Sequence, residues 1–90
     1  MTPGNISQGK RHDLTDNALN LEMGEFGKDN HGKWWARIPK PGYSIARLGS
    51  HEVIEHEDGM ITVSPSILFT NHKGERWHGY IEHGVWREIE

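Results

Sequence analysis

His51–Ile67, HEVIEHEDGMITVSPSI, is the stretch whose reading decides the fold. Glu52–Glu57 and Met60–Ser64 have strand-like composition, and Asp58-Gly59 between them is a dipeptide that accepts the positive backbone angles of a hairpin turn. The chain is therefore expected to turn back on itself at Asp58. In the second arm Ile61 and Val63 alternate with Met60 and Thr62. Ser64-Pro65-Ser66 is expected to end that ladder, because a proline has no N–H to give to a central strand.

Outward from this hairpin, toward the C-terminus, Ile67–Thr70 resumes the sheet, Asn71–Gly74 supplies turn chemistry, and Arg76–Glu82 forms the return arm of a second hairpin. His83-Gly84 is a tight turn into a closing strand, Val85–Ile89. Toward the N-terminus, Tyr43–Leu48 alternates as a strand, Pro39–Gly42 is a rigid turn, and Lys33–Ile38, KWWARI, is a strand that stops before Pro39. Gly24–Gly32, GEFGKDNHG, reads as a long mobile turn anchored only by Phe26. Leu14–Met23 is ambiguous: Leu19, Leu21 and Met23 alternate as in a strand, while Thr15 or Asp16 would cap a short helix. Residues 1–13 read as a flexible arm and residues 14–90 as one β domain. The fold class expected is all-β, a small antiparallel sandwich or partly open barrel of about 6–7 short strands, with at most one short helix near residues 14–22.

Ninety residues suffice for one small core. Only 33% of the chain is apolar and 26% is charged, so the four tryptophans carry much of the burial, and Trp77 and Trp86 are assigned to the core. The net charge of −3 comes from interspersed signs, which disfavours generic nucleic-acid binding. With no cysteine, thiolate chemistry, disulfides and cysteine-based zinc sites are excluded. No apolar run approaches the roughly 20 residues of a membrane span, and the N-terminus has no apolar signal segment, so a soluble protein of the cytosol is expected.

Ser64-Pro65-Ser66-Ile67 and Trp77-His78-Gly79-Tyr80-Ile81 with Gly84 resemble a family of small uncharacterised proteins common in phages, prophages and their hosts. The resemblance covers roughly the C-terminal half and implies a β-rich fold and a phage or mobile-element origin. Typical members carry a Cys-x-x-Cys pair near the start and a cysteine before the histidine that corresponds to His78. Trp77 stands there in this chain, and neither a zinc site nor an enzymatic activity is carried over.

Adjacent Trp34 and Trp35 must point to opposite faces of a strand, so one of them is expected to be exposed or at an interface. Tryptophan, tyrosine and arginine are the enriched anchors of such interfaces. The residues expected to bind a ligand or partner are Trp34, Trp35, Arg37, Tyr43, Arg47 and Tyr80. The function they suggest is non-catalytic binding of a host protein or complex, for example as an inhibitor of a bacterial defence system, with no cofactor. A homodimer through an edge strand would fit the exposed edges. Two other readings stand beside it. The same rings and guanidinium groups would sandwich a base and pair with phosphate in a small nucleotide signal. The seven histidines would hold a metal if His56 met His72 or His78 from a neighbouring strand. For catalysis, Ser64 or Ser66 with a distant histidine is the best pair on offer, and a structural role in the turn is preferred for both serines.

Overall fold

The computed structural model describes residues 6–15 and 20–89. Among them the chain forms nine strands and no helix: β1 (Ile6–Gln8), β2 (Lys10–Arg11), β3 (Glu25–Lys28), β4 (Trp34–Arg37), β5 (Ile45–Arg47), β6 (Glu52–Glu55), β7 (Ile61–Thr70), β8 (Arg76–Glu82) and β9 (Val85–Glu88). They make two sheets, one of five strands in the order β1-β9-β8-β7-β6 and one of four in the order β2-β3-β4-β5. The sheets face each other as a sandwich and do not close into a barrel. Phe26, Ala36, Ile38, Tyr43 and Leu48 from the four-stranded side meet Ile61, Val63, Ile67, Trp77, Ile81 and Trp86 from the five-stranded side in one core. Trp77 and Trp86 pack edge to face at 5.5 Å, and the Trp86 Nε1–H donates to Gly24 O at 2.9 Å, joining one sheet to the approach of the other. At roughly 25 cal/mol per Å2, each buried indole contributes on the order of 4–6 kcal/mol before the entropy of fixing it is counted.

The central hairpin forms with Val53 opposite Val63 and Ile54 opposite Thr62. Its loop has three residues: His56 N–H donates to Met60 O at 2.8 Å, Gly59 N–H donates to His56 O at 2.9 Å, and Gly59 has φ +86°. The same pattern recurs at Asp29–Lys33 (2.8 and 3.1 Å) and at Asn71–Glu75 (2.9 and 3.0 Å), with Gly32 and Gly74 at φ +81° and +80°. A residue without a Cβ occupies this left-handed position in all three turns, which brings each strand back in register. His83-Gly84, with φ 46° and 80°, is the two-residue variant between β8 and β9.

Several expectations are corrected. Pro65 does not end the ladder: β7 runs on through a cis Ser64–Pro65 bond to Thr70, and the register with β8 shifts between Val63 and Ile67, so the proline sits in an irregularity where no ladder N–H is needed. Within residues 1–13, expected as a flexible arm, Ile6–Gln8 and Lys10–Arg11 form strands. Ile6–Gln8 pairs with β9, and Lys10, His12 and Leu14 donate their N–H groups to Gly24, Phe26 and Lys28 at 3.2, 2.8 and 3.0 Å in a parallel ladder. Gly24–Gly32 holds strand β3, with Phe26 fully buried. Gly27 has a steric reason to be glycine: a Cβ there would lie 2.0 Å from His12 O. The ambiguous Leu14–Met23 segment buries Leu14 and Leu21 without forming a strand in its described part, and residues 16–19, which include Leu19, lie outside the described residues.

Candidate functional site

An open groove of about 720 Å3 lies where the chain crosses from β5 to β6. Gly32 and Lys33 line it from the turn before β4 and Trp34 from the start of β4, Arg47 from the end of β5, Leu48–His51 from the crossover, and Val53 from β6. The crossover is short because Leu48 is tied on both sides: its N–H donates to Trp34 O at 3.1 Å, and its carbonyl accepts from His51 N–H at 3.1 Å. Leu48 is buried and Val53 is half-buried against the core, so the lining has an apolar part. The His51 Nε2–H donates to Ser66 O at 3.2 Å, holding the imidazole against β7.

Asp29 builds the Gly32–Lys33 wall. Its Oδ1 accepts the N–H groups of His31 and Lys33 at 2.8 and 2.9 Å, and its Oδ2 accepts the Trp35 Nε1–H at 2.9 Å. The indole donor, followed by the Lys33 amide, holds the Asp29 carboxyl below the usual aspartate range. Trp34 is steadied from β2 and the neighbouring β3. Arg11 and Lys28 lie 5.1 and 5.2 Å from its ring centroid, and both reach Glu55, at 2.6 and 3.4 Å. These contacts bridge β2 and β3 to β6, and the Arg11 hydrogen bond depresses the Glu55 pKa. The groove thus carries Lys33, Arg47 and His51 and no carboxylate, although the chain as a whole is acidic.

Of the residues expected to bind, Trp34 and Arg47 reach the groove. Trp35 turns to the outer face of the four-stranded sheet, where the Arg47 guanidinium lies 5.7 Å from its ring. Arg37 shares that outer face and donates from Nη1 to Leu21 O at 2.9 Å, fastening the Leu21 segment to the sheet. Tyr43 is corrected to the core: only 8% of it is exposed, and its ring packs on Phe69 at 6.2 Å. Tyr80 lies on β8, opposite Arg87, on the outer face of the other sheet. The aromatic and arginine residues therefore do not form one surface. Lys33 and His51 complete the groove and carry no local signal, because the chain crossover alone brings them together.

The histidines fall in separate places. His56 and His83 stack at 4.2 Å, His56 Nε2 lies 2.6 Å from Thr62 Oγ1, and His83 Nε2 lies 2.7 Å from Asp58 Oδ2. Two turns are joined by this stack, and the His83 contact lowers the Asp58 pKa. His72 sits in the β7–β8 turn, and His78 Nε2 meets Ser66 Oγ at 2.7 Å on the outer face of the five-stranded sheet. His56 thus meets neither His72 nor His78. Among the described residues no three histidine or carboxylate groups converge as a metal site. Of Ser64 and Ser66, the candidate serines, Ser66 meets a distant histidine, His78, and both serines lie in strand β7 and not in a turn. The Ser66–His78 pair lies on a sheet face, and neither residue lines the groove.

In comparison with known proteins, no family model, curated protein or solved structure matches the chain. Among the described residues, no helix is long and apolar enough to cross a membrane.

Proposed function

We propose that this protein is a non-catalytic binding module that engages a host protein through the groove at the β5–β6 crossover. The observation that carries the proposal is the lining: Lys33, Arg47 and His51 share the groove with Trp34, Leu48 and Val53, and no acidic residue lines it. Cations beside a tryptophan and an apolar floor suit an acidic or carboxylate-bearing segment of a partner. The resemblance of the C-terminal half supports a phage or prophage setting, in which inhibition of a defence system is a concrete form of the activity. A host-cytosol location and the absence of a cofactor belong to the same proposal.

The test is recovery of a partner from host lysate in a defined stoichiometry, with Lys33→Glu and Arg47→Glu as controls. Both substitutions lie on exposed side chains and are expected to abolish recovery while leaving the melting temperature unchanged. Retention of the same partner by the doubly reversed protein would remove the groove from the mechanism.

A second reading, a receptor or sponge for a small nucleotide signal, is favoured by the groove's volume, which falls within the usual range for small-molecule sites. In that case Trp34 stacks on the base and Arg47 holds phosphate. Thermal-shift measurements with mononucleotides and cyclic dinucleotides separate the two readings. A ligand at a hundred times its Kd stabilises by about 2.7 kcal/mol, which a small domain reports as several degrees. A flat panel favours the protein partner.

A further inference from the structure

We infer that the partner is captured as an extended, acidic strand added to the free edge of β5; this rests on the groove being the recognition site. Ile38 N–H donates to Ser44 O at 3.4 Å and Leu48 N–H donates to Trp34 O at 3.1 Å, so the even-numbered residues of this strand turn their backbone groups toward β4. The N–H and C=O groups of Ile45 and Arg47 point the other way, and β5 is the last strand of its sheet. Backbone groups on an open edge are a template for another strand, and side chains beside the edge select which strand adds.

Among the described residues each sheet ends in two strands with no further strand beside them, and these differ in chemistry. β1 has three residues, as β5 does, and β2 has two, and no residue of either lines the groove. β6 carries Glu52 and Glu55, of which Glu55 is held by Arg11 and Lys28. β5 has no proline and no acidic residue, and it runs into the groove at Arg47. A strand laid along Ile45–Arg47 would end beside the groove that Lys33, Arg47 and His51 line. Alternate side chains of an added strand point to the same face, so acidic residues at every second position meet these groups while the backbone pairs with the edge. Pairing supplies affinity that does not depend on sequence, and the cationic groove supplies the preference.

Three fluorescein-labelled octapeptides test this: alternating Thr-Glu, alternating Thr-Lys, and the Thr-Glu peptide methylated at every backbone nitrogen. Binding is read by anisotropy and by 15N–1H correlation spectra of the full chain. The Thr-Glu peptide is expected to shift the amide signals of Ile45 and Arg47, and the other two are expected to bind at least about tenfold more weakly. Ile45→Pro removes one edge N–H without touching the β4 ladder, and it should weaken the Thr-Glu peptide by a similar factor while the dispersed spectrum is retained. Equal binding of the methylated and unmethylated acidic peptides overturns strand addition and leaves the groove reading standing. Absence of any response to the Thr-Glu peptide overturns both. A stable dimer of the free chain paired at β5 also overturns the inference, because the edge would then be filled by a second copy.

Discussion

The two sheets of this sandwich were built by different means. The five-stranded sheet is mostly a run of sequence neighbours, β6 to β9, joined by loops of three, three and two residues whose turn chemistry sets the register. The four-stranded sheet contains a parallel pair, β2 and β3, whose partners Lys10 and Glu25 are distant in sequence, and it ends at a crossover into the other sheet. Antiparallel pairing through a tight turn is written in a few adjacent residues, whereas parallel pairing needs a crossover whose return is specified only by what it packs against. The legible sheet carries half the core. The other sheet, whose composition reads partly as loop, carries most of the groove.

The sharpest way to break the comparison is at the joint between the sheets. Trp86→Ala deletes a ring that is 1% exposed and removes one of the two N–H donors to Gly24 O, the Lys10 amide remaining, so a loss of about 3–5 kcal/mol is expected in urea denaturation. Both sheets should melt in one transition, since they share one core. Separate transitions reported by tryptophan fluorescence and far-UV circular dichroism would mean that the sheets are independent.

Gly27→Ala probes the sheet that composition hides. If residues 24–32 were a mobile turn, the substitution would be neutral or mildly stabilising. The parallel ladder predicts a loss of about 1–3 kcal/mol, because the new methyl meets His12 O and the backbone must move apart. Gly32→Ala is a milder test in the turn before β4. Nothing lies within 4 Å of the added carbon, and the whole effect is the positive φ, about 1–2 kcal/mol.

The smallest expected effect concerns the ion pairs that clip β2 and β3 to β6. Arg11 lowers the carboxyl pKa of both Glu55 and Asp13, so their contribution to stability is present above the ordinary carboxylate range and is lost as the pH falls through their depressed values. Melting temperatures taken from pH 7 down to pH 3 should fall, and Glu55→Gln should lie slightly below the wild type at neutral pH and converge with it in acid. A constant gap at all pH values would show that the Glu55 charge has no part in the clip. These groups are largely solvated, so the gap should be small.

The candidate site follows the same division. Trp34 and Arg47 were legible as an aromatic and a guanidinium on strands, and both line the groove. Tyr43 has the same chemistry on the same reading and is buried, because the chain before β5 folds inward against Phe69. Lys33 and His51 had no signal at all: one belongs to a turn and the other to a crossover, and neither spacing nor composition relates them. The stacked His56 and His83 were invisible for a similar reason, since they meet only where two hairpin turns converge.

Sequence by itself determined the β class, the three hairpin reversals after Glu52, the assignment of Trp77 and Trp86 to the core, and the opposite facing of Trp34 and Trp35. Each of these depends on local chemistry: a glycine that accepts positive φ, an alternation of period two, or a ring too large to leave in water. Tertiary structure alone decided that Lys10–Leu14 lies parallel to Gly24–Lys28, that Pro65 is carried within a long strand, and that the β5–β6 crossover gathers Lys33, Arg47 and His51 around Trp34. Those outcomes depend on contacts between segments far apart in the chain, whose energies exist only once the two sheets have met.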